Sequence, residues 1–554
     1  MKKVNYNGGR MIVDAELGLK RKHFSLLAIV AFIFSECAAG AYGIEEMISG
    51  AAPGLTLLLL AIIPFVWALP AGLAVAECSN LIPASSGPYV WTKMAFGEFW
   101  GFSMGWWMIF ASYLTPVAYV ILTVDYMSTY IHLSPLAEFI VKTIMIAIFT
   151  IINILGLEEV SLTSIILSII ILVGFGVVTV VGFMNWHHSP VTPFVPPGHI
   201  GFSDVGTAVV VGIWMYAGFV ELAPICGEIK NQDILPKGMK IAVLIMAISY
   251  ILPTVAGVVS TQPWSNWGTQ SGNFDFSSVL TLHIGPLAGI AFMIVSVVAQ
   301  CAIFNAAIAV ASRAFTMMSL DNLSPKFLNR LTKRGKTPIW PILILAAFCM
   351  ILMNFDFTDA IGILDITLFL IYIGLAVVTL KLRYLYPVEK REGLYYVKGK
   401  LGWAFILLGP LCLGLLAWLI SGAEFFLLGF IPVLAVVPLY LAIKRKSGGL
   451  HKSDPENNPL NPRTKLAEGD TIRIGNFCLI FGPLAAVGSF FIRFYEKSWG
   501  PEYYLEMYEK GLLSDFDGML KAILILGIVL IVIGVLLRLW GKKNDPIEHT
   551  LLRP

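Results

Sequence analysis

The residues of this sequence that could do chemistry are acids set inside long apolar runs, and they fall into two groups. Near the start of the chain, Glu36, Glu45 and Glu46 flank the string Cys37-Ala38-Ala39-Gly40-Ala41-Tyr42-Gly43-Ile44. Further on, Trp214-Met215-Tyr216-Ala217-Gly218-Phe219-Val220-Glu221-Leu222-Ala223-Pro224 sets one acid beside a glycine and a proline in an otherwise apolar stretch. A charge at the centre of a bilayer costs about 2.5–3.5 kcal/mol on insertion scales, so acids at that depth mark a ligand or a partner. Each glycine lowers helix propensity by about 1 kcal/mol relative to alanine, so both strings are weak points in a helical pattern. Where a helix opens inside a membrane, its freed N–H and C=O groups are tolerated only against a cavity or a bound group. A helix resuming after the break points the positive end of its dipole into the hollow, which suits a carboxylate. Freed carbonyls and nearby acids suit an ammonium group. The chemistry implied is therefore recognition of a small organic amine or an amino acid.

Within this scheme each candidate has a role. Glu36 lies one turn before Gly40 and can face the break, where a proton and a substrate ammonium could compete for its carboxylate; it is the proton-coupling candidate. Gly40, Ala41, Tyr42, Gly43 and Glu45 form the substrate-binding candidates of the first string, with Glu46 turned to an outer vestibule. Trp214, Tyr216, Gly218, Phe219 and Glu221 are those of the second, and Tyr113 is a wall residue from a third apolar segment. Aromatic rings beside such a site can cap a cation. Asp125, Asp365, Gln300 and Asn305 are further polar residues in apolar segments, Lys142 has no evident partner, and Glu77 and Glu228 read as gate or capping groups near basic residues. His187, His188 and His199 read as surface residues.

The elements that must hold these residues follow from composition. Hydrophobic residues are 57% of the 554 and charged residues 13%, with a mean hydropathy of +0.79. Soluble domains sit near about 45–50% and about 25%, so lipid is the solvent for most of this surface. Fourteen apolar segments are long enough to span: 24–48, 55–78, 99–127, 137–155, 161–184, 205–228, 239–261, 286–318, 339–355, 361–386, 402–420, 424–443, 474–494 and 518–540. With the N-terminus placed in the cytoplasm, the cytoplasmic segments hold every one of the 38 Lys and Arg residues except Lys142, Arg493, Lys497, Lys510 and Lys521. That is the asymmetry of the positive-inside rule, and it predicts a multi-pass protein of the cell membrane with both termini inside. The loop 444–473 reads as a surface connection, flexible over Gly448 to Asn461. The seven cysteines lie in or beside apolar runs without a CxxC and read as buried small apolar residues. No cofactor, metal cluster, HExxH string, phosphate loop or nucleic-acid-binding face is expected.

The first and sixth segments carry the two weak strings, and they are equivalent positions if five-helix units repeat. The surrounding motifs carry a resemblance. They are Ala76-Glu77, Pro83, Ser86-Gly87-Pro88-Tyr89, Ala95-Phe96-Gly97 and Trp100-Gly101-Phe102 with Gly105-Trp106; then Gly227-Glu228-Ile229-Lys230-Asn231 and Leu235-Pro236-Lys237; then Ser312-Arg313, Met318, Asp321, Leu323-Ser324-Pro325 and Gly335-Lys336-Thr337-Pro338. In this order over the stretch 20–440 the chain resembles the amino acid–polyamine–organocation transporters. Phe34-Ser35-Glu36 with Gly40 to Glu45, and Asp125-Tyr126, are similar to the polyamine–proton symporter branch.

The resemblance implies an all-α integral membrane fold, a LeuT-like 5+5 inverted repeat with broken helices 1 and 6, plus four further C-terminal helices. On that plan 1–23 is a cytoplasmic tail, 24–184 and 205–386 are the two repeats, 402–443 holds helices 11 and 12, 444–473 is a cytoplasmic loop, 474–540 is an extra pair and 541–554 is the second tail. The function implied is secondary active transport by alternating access of amino acids, polyamines or related amines, driven by protons, with exchange as the alternative and a non-transporting sensor as a remoter one. Two features depart from the relatives: the acid of the sixth segment is displaced by one residue, and 161–184 contains no Lys, Arg or His of the kind that couples protons in some carriers.

Overall fold

The computed structural model describes residues 5–7, 10–12, 23–37, 40–84, 86–156, 160–197, 203–220, 222–223, 226, 229–270, 273–312, 314–332, 337–391, 393–456, 458–508 and 510–546. Helices dominate. The one β element among the described residues is a short antiparallel pair in the N-terminal tail, β1 (Asn5–Asn7) and β2 (Arg10–Ile12). The helices are α1 (Leu26–Glu36), α2 (Ile44–Ile63), α3 (Leu69–Leu81), α4 (Gly87–Phe96), α5 (Glu98–Ser128), α6 (Pro135–Leu155), α7 (Val160–Met184), α8 (Ser203–Met215), α9 (Leu235–Ser260) and α10 (Phe276–His283). There follow α11 (Pro286–Ser312), α12 (Thr316–Leu320), α13 (Ile339–Leu352), α14 (Phe357–Leu385), α15 (Gly399–Ile420), α16 (Ala423–Ser447), α17 (Leu450–Ser453), α18 (Asp470–Glu496), α19 (Gly500–Met507) and α20 (Phe516–Asn544). Eleven helical segments among the described residues are long and apolar enough to cross a membrane, with Val205–Phe219 and Ile339–Leu352 as shorter apolar helices.

One of the eleven, Ile44–Leu81, has 38 residues. At 1.5 Å per residue it would run about 57 Å, nearly twice a hydrocarbon layer of about 30 Å. It is in fact two helices joined by a sharp break at Ala52, where φ is 64° and ψ 163°, with the Thr56 hydroxyl reaching back to the Met47 carbonyl at 2.7 Å. Pro53 disfavours helical geometry at the residue before it. The N–H groups exposed by the restart are taken by the loop between α7 and α8, Gly54 bonding to the Pro193 carbonyl at 3.3 Å and Leu55 to that of Phe194 at 2.9 Å. Between α2 and α3 the helix widens into a π turn, Pro64–Ala68. Pro64 has no N–H, so the Leu60 carbonyl one turn earlier loses its helical donor; the Tyr216 hydroxyl replaces it at 3.1 Å. The same turn lays Trp67 flat on Tyr372 of α14, with centroids 4.4 Å apart.

The pair α18 and α20 is built on glycines. Cβ atoms placed at Gly482 and Gly527 would stand 3.0 Å from the Gly527 carbonyl and 2.6 Å from the Ala486 nitrogen, so the two backbones run in direct contact. The pair reaches the rest of the chain through α5, α15 and α16. The connection before it is tied down, against the flexibility expected for Gly448 to Asn461: the Asn461 amide donates to the Asn544 carbonyl at 2.8 Å and to Asp545 at 3.0 Å, and Asp545 also accepts from the N–H groups of Gly469 and Thr471. Asp545 lies 75 residues beyond α18's first residue in the chain, which is why no local pattern announces it.

Candidate site at the helix breaks

α1 ends at Glu36, and the Cys37 N–H completes its last bond, to the Ile33 carbonyl at 3.1 Å. The helix resumes at Ile44. Gly43 has φ 86° and Gly40 φ 143°, regions that residues with a Cβ seldom enter. There is also no room: a Cβ at Gly43 would lie 2.7 Å from the Phe357 ring, and one at Gly40 2.5 Å from Phe175. The Glu45 side chain folds back on this turn. The Gly43 N–H donates to its Oε2 at 2.8 Å and the Tyr126 hydroxyl to its Oε1 at 2.5 Å, and Glu45 is wholly buried. A carboxylate of the chain itself thus sits at the positive end of the resumed helix. Glu46 points elsewhere, accepting from the N–H and hydroxyl of Thr269 at 2.7 and 2.8 Å.

The second break lies beside the first. α8 stops at Met215 and a single 3-10 turn, Ala217–Phe219, follows. The carbonyls freed there are met by tyrosines: Tyr250 of α9 donates to Met215 at 3.1 Å, and Tyr372 of α14 donates to Ala217. α1 touches the 3-10 turn, and α2 packs along α8. A Cβ on Gly43 would be 3.5 Å from the Trp214 ring, so the two strings meet at these residues. Trp214 stands edge-on to Phe357 at 5.2 Å and tilted to Tyr119 at 6.1 Å. Tyr42 stands edge-on to Tyr126 at 5.4 Å and to Phe175 at 4.9 Å, with its hydroxyl toward Ser296 of α11.

The remaining candidates are spread out. Ala41 and Gly218 are buried within the two breaks. Tyr216 faces α2 and the ring of Tyr250, and Phe219 packs toward Gly72 and Met239. Tyr113 turns away, its hydroxyl donating to the Pro341 carbonyl at 3.2 Å and its ring packing on Phe315 and Phe348. Glu221 and Glu228, and the side chain of Glu36, lie outside the described residues. Sequence reasoning assigned no role to Tyr126, Ser296, Phe357, Tyr372 or Tyr250. The available signal was a hydroxyl or ring in an apolar helix, which the core uses as freely as a site does.

Several polar residues that had no place in the sequence reading now have one. Lys142 donates to the Met353 carbonyl at 3.0 Å, satisfying the end of α13, and the Asn153 amide donates to the Asn305 side-chain oxygen at 2.8 Å. Gln300 and Asp365 are fully buried and have no hydrogen-bond partner among the described residues. Gln300 lies one turn beyond Ser296 on α11. For Asp365 no ion pair would be lost on substitution, so Asp365→Asn is expected to leave the thermal unfolding temperature unchanged or higher. A fall on the scale of a broken buried pair, about 3–5 kcal/mol, would reveal a partner. The letters Gly101-Phe102-Ser103-Met104-Gly105 match the spacing of a hydrolase nucleophile turn. They lie inside the continuous helix α5, with Ser103 bonded to the Phe99 carbonyl at 2.9 Å, so no such turn exists.

At one end of the bundle Glu77 is buried between two arginines. Arg383 Nε reaches its Oε1 at 2.6 Å and Arg391 Nη1 reaches the same atom at 3.0 Å; Arg383 Nη2 and the Val397 N–H meet Oε2. Arg391 also donates to the carbonyls of Tyr386 and Leu382, at 2.9 and 3.0 Å, and burial holds its guanidinium below the usual arginine range. Two further ion pairs follow the same pattern: Lys444 on both oxygens of the buried Glu98, at 2.6 and 2.7 Å, and Lys93, with Tyr89, on the partly buried Asp321.

Comparison with known proteins gives one family and a set of distant relatives. The model of the family described as amino acid permease matches residues 24–445. A probable polyamine transporter of Arabidopsis thaliana is 28% identical over 250 residues, 43% of this chain and 48% of the relative. A second from the same plant is 27% identical over 369 residues, 64% of this chain and 74% of the relative. The branched-chain amino acid permease BcaP of Lactococcus lactis is 25% identical over 312 residues, 50% and 63%. The chain spans about half the length of the first of these.

Proposed function

This chain belongs to the amino acid permease family, and from that premise we propose that it is a secondary transporter moving small organic amines or amino acids across a membrane by alternating access. The family and its relatives are permeases and transporters, not enzymes. The reading takes the breaks at Cys37–Gly43 and Tyr216–Phe219 as the centre of a 5+5 inverted repeat, 24–184 against 205–386, within fourteen spans. The further helices, including the α18–α20 pair, stand outside the site. The lysine and arginine distribution supports a plasma-membrane protein with both termini inside.

One observation carries the choice of substrate. In a carrier of amino acids the N-terminus of a resumed half-helix is the natural seat for the substrate carboxylate. Here Glu45 occupies that seat, on the Gly43 N–H. An incoming carboxylate would meet a carboxylate, whereas an ammonium would meet one of opposite charge. Gly40, Ala41, Tyr42, Gly43 and Glu45, with Trp214, Tyr216, Gly218, Phe219 and Glu221, remain the proposed binding residues, and Glu36 the proposed coupling acid; Tyr113 is proposed as a more distant wall. The amine reading is therefore preferred, with proton symport as the driving mode.

The test is a panel. Purified protein should gain thermal stability from diamines and polyamines more than from neutral amino acids. Uptake of the best ligand into proteoliposomes should collapse with a protonophore. Absence of stabilisation or uptake with every amine and amino acid overturns the reading. Uptake that ignores the protonophore and requires internal substrate replaces symport by exchange.

A further inference from the structure

A cavity of about 760 Å³ opens at the end of the bundle where α14 and α15 meet, lined by Arg383, Tyr396, Lys400 and Trp403 among others. Its lower wall is apolar, from Val388, Ala404, Leu407 and Leu408. It sits at the boundary of two membrane-long helices, Phe357–Leu385 and Gly399–Ile420. Leu408 and Trp403 are 51% and 41% exposed, so this wall continues into the surface that lipid covers.

Among the described residues the charges around it do not balance. Arg383 and Arg391 share the single carboxylate of Glu77, leaving one positive charge in surplus among the described residues. Arg383 lines the cavity, and its guanidinium lies 5.2 Å over the Trp403 ring. Its Nε and Nη2 serve Glu77 and Val397. At the rim Lys400 stands with Glu389, one charge of each sign, so the surplus remains. Buried charge without a counter-charge is costly, and an anion in the cavity would supply one.

We propose that this cavity seats the phosphate of an anionic phospholipid, held by Arg383 and Lys400 with its acyl chains along Leu407 and Leu408. Volume and lining suit this occupant: a headgroup needs a few hundred cubic ångströms, and basic hollows between membrane helices at the water boundary take anionic headgroups. A free phosphate shares the headgroup chemistry but would leave the apolar wall unused. Because Arg383 is also the partner of Glu77, an occupant here would bear on the lock between α3, α14 and the loop before α15.

The full-length protein in detergent is titrated with phosphatidylglycerol, with phosphatidylcholine, and with inorganic phosphate, while thermal unfolding is followed. Phosphatidylglycerol should raise the unfolding temperature above the other two. The exposed-rim variant Lys400→Gln should weaken that response about fivefold in lipid concentration, and Leu408→Gln should weaken it while leaving any response to inorganic phosphate intact. Equal responses to phosphatidylglycerol and phosphatidylcholine overturn the proposal. So does a Lys400→Gln protein that responds as the native one does, and so does inorganic phosphate reproducing the whole effect of phosphatidylglycerol.

Discussion

Replacing Glu77 by alanine should yield a protein about 3–5 kcal/mol less stable to unfolding. The carboxylate accepts from two guanidinium groups and one backbone N–H, and all three side chains are at most 5% exposed. Its removal leaves two like charges facing each other away from water. The cost is therefore that of uncompensated buried charge and exceeds the worth of the pair itself. A double variant separates these effects. Adding Arg391→Met to Glu77→Ala removes one of the stranded charges and should recover part of the loss, giving a coupling of opposite sign to the single costs. Unfolding can be followed with a thiol-reactive dye, because Cys78 is buried beside Glu77; Cys412, exposed against the burial expected for every cysteine, reacts before unfolding and sets the baseline. If Glu77→Ala unfolds within about 1 kcal/mol of the native protein, the range of an exposed pair, the cluster does not hold this end of the bundle.

The second large effect concerns ligand. Substituting Glu45 by glutamine should weaken binding of a cationic amine by roughly 10- to 100-fold, the loss of one charge-assisted contact of about 1.5–3 kcal/mol. Glutamine can set its one oxygen on the Gly43 N–H and donate its NH2 to the Tyr126 oxygen, keeping the shape of the turn, so the fold should survive. Alanine would do more, stranding the Gly43 N–H and the Tyr126 hydroxyl without an acceptor. Titration calorimetry with the best ligand of the amine panel measures the change. The informative comparison is with neutral amino acids, whose carboxylate is repelled by Glu45 on this reading. Their binding should be unchanged or improved in Glu45→Gln. Equal losses for amines and amino acids would mean that Glu45 only shapes the turn.

Gly54 and Asp545 illustrate how far linear pattern reaches. Glycines and acids in apolar runs pointed to openings near positions 40 and 218, because helix propensity and the cost of charge in hydrocarbon are local properties. The openings lie there: α1 stops at Glu36, α2 starts at Ile44, and α8 stops at Met215. Propensity also placed most of the apolar segments to within a few residues, although the sixth, expected over 205–228, stops as a helix at Met215, and the eighth, expected over 286–318, stops at Ser312 ahead of the short α12. Which groups answer the freed polar atoms was not legible. The restarting N–H of Gly54 is met by Pro193, the Leu60 carbonyl by Tyr216, and the N-terminus of α18 is capped by Asp545.

What the sequence by itself determined was membrane residence, the positions of the helices and the two weak points, since each depends on composition within one or two turns. What only the tertiary structure decided was pairing. Glu45 could have faced a substrate, a lysine or water; it folds onto Gly43 and Tyr126, 81 residues away. Glu77 found both its arginines more than 300 residues on. Tyr113 found α13, away from the breaks. In an apolar interior a polar side chain takes whichever donor or acceptor the packing brings to it, and the packing is settled by the shapes of many helices together.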